Sequence, residues 1–212
     1  MSHAIPLPIE PSLSADKSSV SRLKLGISLA YYGLVLAIAA IIAPIAAPMI
    51  AGSDMLLMVK IVRGFSYVIA GALILVLTGK CLCFAGSRSA SDRVLLGLAI
   101  ASGLVVTITT VAALFTDLSL PLAITGAVLN PVSSGLFVLF LRSLAGSLGD
   151  KKLKSRAGFV LVLGAIYSLA DNLPLLVQFN PGPLVFVVFG IGLVVLFGYA
   201  RLLTGLIKKL SV

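Results

Sequence analysis

Residues 184–200 read LVFVVFGIGLVVLFGYA and carry no charged side chain. A helix that crosses the hydrocarbon layer of a membrane needs about 20 consecutive apolar residues. The apolar residues here follow one another without interruption, so they would cover every face of a helix. A membrane β-barrel would instead alternate apolar and polar residues. The stretch therefore predicts a membrane-spanning helix over 183–206.

The rest of the chain has the same character. Of its 212 residues, 59% are hydrophobic and only 11% are charged, whereas a soluble domain carries roughly a quarter charged residues. The sequence predicts an all-α polytopic integral membrane protein, a six-transmembrane-helix bundle over 25–207, with a cytoplasmic C-terminus at 208–212. The spans are expected at 25–51, 61–83, 94–116, 119–141, 157–179 and 183–206. Residues 1–24, rich in proline and serine, are expected to form a disordered cytoplasmic tail.

The positive charges orient the predicted bundle. The net charge is +9, and of the 16 Lys and Arg residues all but Lys60 and Arg63 fall on the same side as the N-terminus. Basic residues collect on the cytoplasmic side of membrane proteins. We therefore expect a protein of the cytoplasmic (inner or plasma) membrane with both termini in the cytoplasm. The basic side should bind anionic lipid head groups, and no nucleic-acid partner is expected.

Two segments of the predicted even-numbered spans resemble each other. Residues 135–140, GLFVLF, match residues 192–197, GLVVLF, at five of six positions, and a weaker counterpart begins at Gly71. One interpretation is a set of three repeated helical hairpins about an axis along the membrane normal. The alternative is chance similarity, which is common because membrane helices use few residue types.

Polar side chains inside the spans suggest a binding site, because an ionisable residue at membrane depth is a functional-site hypothesis by default. Asp171 lies about 15 residues into the fifth predicted span, close to Pro174, which leaves the carbonyl of Ala170 without a donor. Asn130 lies near the middle of the fourth span, next to Pro131. These two spans are joined by one turn, so we expect their polar segments to face each other.

The candidate intramembrane polar site comprises Asp171, Asn172, Asn130, Ser133, Ser134, Tyr167 and Ser168. An alternative is that the fifth span ends near Ala170, which would place Asp171 at the outer interface. A polar cavity at this depth would favour the first interpretation. A dry, filled interior would favour the second.

A stripe of small residues marks the first span. Ala39, Ala43, Ala47 and Ala51 recur every four residues and therefore share one helix face. Small residues let helix backbones approach closely in lipid, where association depends on packing. The stripe is a candidate helix-packing surface, either for another span of the same chain or for a membrane-protein partner or a second copy.

No pattern of catalytic residues is present in the sequence. His3 is the single histidine and lies in the tail, which excludes His-based dyads and His-ligated metal sites within the spans. Cys81 and Cys83 are two residues apart, so on a helix they point in nearly opposite directions. The sequence predicts no enzyme, no cofactor and no metal site.

Two functions are compatible with the sequence. The first is a non-catalytic accessory or docking subunit of a membrane complex, using the alanine stripe. The alternative is a small-solute carrier or membrane-embedded substrate-binding subunit, with a polar midplane site around Asp171 and Asn130. Six spans, about 200 residues and an alanine-rich first helix resemble, in layout, the substrate-binding subunits of energy-coupling-factor vitamin transporters, in which small residues dock a partner. No ligand motif of that group can be matched residue by residue.

Overall fold

The computed structural model describes residues 17–52, 54–115, 120–177 and 184–211, and confirms the all-α fold of six long apolar helices. Their bounds are α1 Lys17–Ala51, α2 Met55–Gly86, α3 Ala90–Phe115, α4 Leu120–Ser147, α5 Lys151–Val177 and α6 Leu184–Lys209. Within the described residues, all six helices are long and apolar enough to cross a membrane. The chain is a multi-pass helical membrane protein whose outer face contacts lipid.

Several helices continue past the predicted spans. α1 begins at Lys17, so residues 17–24, which we expected in a disordered tail, are helical. The remainder of that predicted tail lies outside the described residues. The α2–α3 connection is reduced to 87–89 and the α4–α5 connection to 148–150. Charged and small residues at the ends of apolar spans can also be helical. Hydropathy alone therefore predicted helices that are shorter than those in the structure.

The helices form a ring in chain order. Each helix contacts the next along the chain, and α6 returns to contact α1. Connections of a few residues require antiparallel neighbours. The N-terminus of α1, both short connections and the C-terminus of α6 therefore lie at one end of the bundle, here called the basic end because Lys and Arg residues concentrate there.

Local hydrogen bonds explain the sharp turn between α4 and α5. Gly149 has a positive φ of 69°, a conformation that favours glycine. The N–H of Asp150 donates to the carbonyl of Ala145 and that of Gly149 donates to Gly146, the pattern of a Schellman cap. The Asp150 carboxylate then accepts from the N–H groups of Lys152 and Leu153, which begins α5.

The hydrophobic core fills the half of the ring that lies toward the basic end. α4 supplies its centre, with Phe137 and Leu141 fully buried. α1, α3, α5 and α6 each contribute a buried stripe, including Ile27, Leu96, Ala157 and Leu203. This packing fills the interior of the bundle around Phe137 and Leu141.

Glycines bring α1 and α2 into backbone contact. A Cβ built on Gly79 would lie 2.5 Å from the carbonyl oxygen of Gly26, and one on Gly33 would lie 2.8 Å from that of Ala72. No real Cβ tolerates such distances, so these positions require glycine. This close contact was not predicted from the sequence.

The predicted alanine stripe lies beyond this contact. The Ala39 side chain is exposed, and those of Ala43, Ala47 and Ala51 lie outside the described part of the structure. Its use as a packing surface stays a prediction.

The glycines of the proposed repeat have different surroundings. Gly135 of α4 faces Leu161 of the next hairpin, whereas Gly192 of α6 faces Tyr167 of its own hairpin partner, α5. Gly71 has no described atom near the position of its missing Cβ. The chain-ordered ring is compatible with three hairpins, but these three positions do not play equivalent roles.

Candidate functional site

Lys80 is a charged side chain buried inside the bundle. It lies on α2 and is 4% exposed. Helical side chains lean toward the N-terminus of their own helix. α2 runs toward the basic end, so Lys80 points away from that end and into the membrane. A lysine near a span end ordinarily extends to the interface instead.

Ser133 of α4 receives the lysine. The Lys80 Nζ donates to the Ser133 Oγ at 2.6 Å and lies 3.4 Å from the Ser133 carbonyl oxygen. The Ser133 hydroxyl, itself 2% exposed, donates to the carbonyl of Ala99 on α3 at 2.8 Å. Three helices therefore share one buried polar cluster.

Two further features shape this cluster. The Lys80 Nζ lies 5.6 Å from the ring centroid of Phe137, a distance at which the ring face attracts a cation. A Cβ on Gly103 would lie 2.9 Å from the Ser133 Oγ, so glycine leaves the space that the hydroxyl occupies. Within the described residues, no carboxylate lies within ion-pair distance of Lys80.

The hydrogen-bond directions bear on the chemistry of the Ser133–Lys80 pair. The Ser133 hydroxyl accepts from the Lys80 ammonium and donates to the Ala99 carbonyl. These contacts hold the lysine side chain between α2, α3 and α4.

The inner face of α4 can be located from its neighbours. Ser133 faces α2 and α3, and Gly135, about 200° away at about 100° per residue, faces Leu161 of α5. The arc between these two directions faces the interior of the ring, and the buried Phe137, Leu141 and Ala145 all fall within it.

Asn130 and Ser134 lie on this inner arc, about 60° and 100° from Ser133. Both are exposed, although residues of the same face are fully buried one or two turns closer to the basic end. The inner face of α4 is therefore buried at Phe137 and exposed at Ser134 and Asn130, and this exposed stretch is here called the opening. The opening begins next to the buried Lys80 cluster.

The predicted site residues separate into four groups. Asn130 and Ser134 line the opening, and Ser133 is bonded to α2 and α3 instead of facing α5. The Tyr167 ring lies against Gly192 of α6, and the Ser168 side chain is partly buried on α5. Asp171 and Asn172 belong to α5, but their side chains lie outside the described part of the structure.

Lys80 was missed as a site residue because charge patterning assigned it to the basic surface. The available signal was its position: six residues separate it from the end of α2 at Gly86, with apolar residues on both sides. A lysine that far inside a span must either extend outward or find an internal partner.

No family model, no curated protein and no solved structure matches the chain. The proposal for its function therefore rests on the arrangement of residues within the chain. This geometry establishes a multi-pass helical bundle in contact with lipid, with a buried cation beside an open polar stretch of α4.

Proposed function

We propose that the protein is a non-catalytic membrane carrier, or substrate-binding subunit, for a small solute that bears an anionic group. The single observation that carries this proposal is the exposure of Asn130 and Ser134 on the inner face of α4, adjacent to Lys80. Binding sites between membrane helices commonly combine polar side chains, an interrupted helix and a buried charge. α4 stays helical across Pro131, which leaves the carbonyl of Ala127 without its helical donor.

The division of roles follows from the chemistry of the three side chains. The Asn130 amide both donates and accepts hydrogen bonds, and the Ser134 hydroxyl does the same. Lys80 supplies positive charge close to the floor of the opening, and an apolar surrounding strengthens its attraction for an anion. Such a solute would be held by hydrogen bonds in the opening and by the electrostatic field of the cluster beneath it.

The docking-subunit alternative has less support in the structure. It depends on the alanine stripe, of which only the exposed Ala39 side chain is described. A single exposed alanine does not distinguish a protein partner from lipid. The carrier alternative rests on the exposure of Asn130 and Ser134 and on the contacts of Lys80.

Charge-selective thiol chemistry tests this proposal and does not require that the solute be identified. Ser134→Cys, in a Cys81→Ser background, should react faster with an anionic sulfonate methanethiosulfonate reagent than with the cationic trimethylammonium reagent. We expect this rate ratio to exceed that of a cysteine at the exposed Asp54 by roughly threefold or more. Adding Lys80→Met should abolish the difference.

Val132→Cys is the matched control, because Val132 lies on the outer face of the same turn of α4 and is exposed there. It should react slowly with both charged reagents, as a lipid-facing thiol does. Equal rates for the two reagents at Ser134→Cys, or a preference that survives Lys80→Met, would contradict an anion-selective opening.

A further inference from the structure

A cavity lies at the basic end of the bundle, where α1, the α2–α3 connection and α4 meet. Its volume is about 230 Å³. Its walls are apolar on one side, where Leu23, Phe140 and Leu144 belong to the core. The other side is polar and is formed by Ser19, Ser87, Arg88, Ser89, Asp92 and Ser147.

Asp92 is the distinctive residue of this cavity. It is 8% exposed, and its Oδ1 is the one buried side-chain oxygen or nitrogen in the described part of the chain that has no hydrogen-bond partner. A carboxylate oxygen accepts hydrogen bonds and cannot donate them when ionised. Leaving such an atom buried and unpaired is unfavourable, so the site is complementary to a donor.

The described neighbours of Asp92 do not supply that donor to its Oδ1. Arg93 is turned toward the connection, where its Nε donates to the Ser87 carbonyl at 2.9 Å. The backbone N–H of Asp92 is directed to the Ser89 Oγ at 3.5 Å, as in a helix cap. Asp92 lies in the first turn of α3, where the helix dipole favours its negative charge.

We infer that this cavity binds a primary ammonium group carried by an amphiphilic molecule. The ammonium donates to the Asp92 Oδ1, and the apolar part of the molecule packs on Leu23, Phe140 and Leu144. A primary ammonium satisfies an orphan acceptor, whereas a quaternary ammonium has no N–H to donate. Two sources fit this chemistry: the head group of an aminophospholipid and a free alkylamine.

Thermal unfolding of the full chain in detergent micelles tests the inference. Phosphatidylethanolamine should raise the unfolding midpoint by about 2–4 °C more than phosphatidylcholine at lipid concentrations a few times the dissociation constant. n-Octylamine compared with n-octanol forms the second arm. If phosphatidylethanolamine and octylamine both raise the unfolding midpoint, the ammonium group alone is sufficient for binding. If only phosphatidylethanolamine raises it, the lipid phosphate is required as well.

Three variants make the result specific. Asp92→Asn should abolish the preference for the primary amine. Asp150→Asn removes the same charge at the same end of the bundle but outside the cavity, and it should keep the preference. Ser147→Leu, which fills the cavity and retains Asp92, should also abolish it. Equal shifts with phosphatidylethanolamine and phosphatidylcholine, together with none from octylamine, would overturn the inference, as would a preference that survives Asp92→Asn.

Discussion

At the scale of single residues, the Lys80–Ser133 contact is unusual because a cation is buried in the membrane and the described residues offer it no carboxylate. Its partners are neutral: a hydroxyl, a backbone carbonyl and the face of an aromatic ring. Breaking a buried charged contact leaves one group unsatisfied, whereas removing the charge itself relieves the desolvation cost. The two sides of the contact should therefore respond differently to mutation.

We expect Ser133→Ala to lower the free energy of unfolding by about 1.5–3 kcal/mol, because the Lys80 ammonium then loses its close acceptor. Lys80→Met should be much less costly, since it replaces the buried charge with an apolar chain of similar length. In the Lys80→Met background the effect of Ser133→Ala should fall below about 1 kcal/mol, and denaturant titrations of the four proteins measure the coupling. Additive effects would show that the contact has no energetic role.

Residue identity alone could not reveal this cluster. Ser133 was predicted as a site residue because a polar side chain next to Pro131 lies deep in a span. Its partner could not be read from the sequence, because it depends on how α2, α3 and α4 are rotated about their axes. Asn130 and Ser134 were predicted for the same reason as Ser133. They lie only a fraction of a helical turn away from Ser133 around the axis of α4, yet they are exposed whereas Ser133 is buried.

At the scale of helices, the α1–α2 pair rests on glycine. Gly26 and Gly79 each place a backbone carbonyl where the Cβ of the other would lie. Helix association in lipid depends on this kind of close packing, because lipid tails are as apolar as the helix surfaces and the hydrophobic effect does not drive helices together. The sequence predicted a small-residue surface on α1 at the alanines, whereas the described contact lies at glycines nearer the N-terminus.

Gly79→Ala should lower the free energy of unfolding by about 1–3 kcal/mol, because the added methyl group meets backbone rather than a movable side chain. Gly71→Ala is the matched control on the same helix. It meets no described atom within 4 Å, and it should be neutral or stabilising because alanine favours helix. Equal destabilisation by both substitutions would contradict the assigned close contact.

The stabilisation that Asp150 gives to the start of α5 should depend on pH. Backbone hydrogen bonds, first from Leu153, and the contact with Lys209 at 3.4 Å lower the pKa of the Asp150 carboxyl below its usual 3.8. A lowered pKa in the folded state means that the stabilisation is present above the unfolded pKa and is lost as the pH falls through the folded one.

Asp150→Asn keeps a helix-capping side chain but does not titrate. Its thermal midpoint should lie below that of the native chain at pH 7, and the gap should close as the pH falls below about 4. Parallel thermal scans at neutral pH and at about one pH unit below the usual aspartate pKa provide the measurement. A gap that stays constant between these values would mean that the carboxylate charge adds nothing to the cap.

At the scale of the whole molecule, hydropathy was sufficient to predict six helices, because lipid selects uninterrupted apolar segments. The contact between α4 and α5 was also expected, because one turn joins them, whereas the return of α6 to α1 was not predicted. What hydropathy could not supply is the uneven filling of the interior: every face of these helices is apolar enough for lipid or core, so composition does not indicate which face points inward.

The orientation of the bundle is predicted from the basic residues, which place the basic end in the cytoplasm. In a Cys81→Ser background, a membrane-impermeant maleimide added to intact cells should label Asp54→Cys. It should label Ser211→Cys only after the membrane is permeabilised. The reverse pattern of labelling would invert the topology and place the Asp92 cavity outside.

The inner face of α4 is buried at Phe137 and exposed at Ser134 and Asn130, and we expect water to reach the two polar residues. Spin labels at positions 130 and 134, measured in lipid vesicles, test this expectation through their collisions with a water-soluble nickel chelate and with oxygen. Labels at Val128 and Val132, on the outward face of the same turns of α4, are the controls. We expect the chelate to relax the labels at 130 and 134 strongly, and oxygen, which concentrates in lipid, to dominate at 128 and 132. Oxygen-dominated relaxation at all four positions, or no access of either reagent at 130 and 134, would contradict an open interior and with it the carrier proposal.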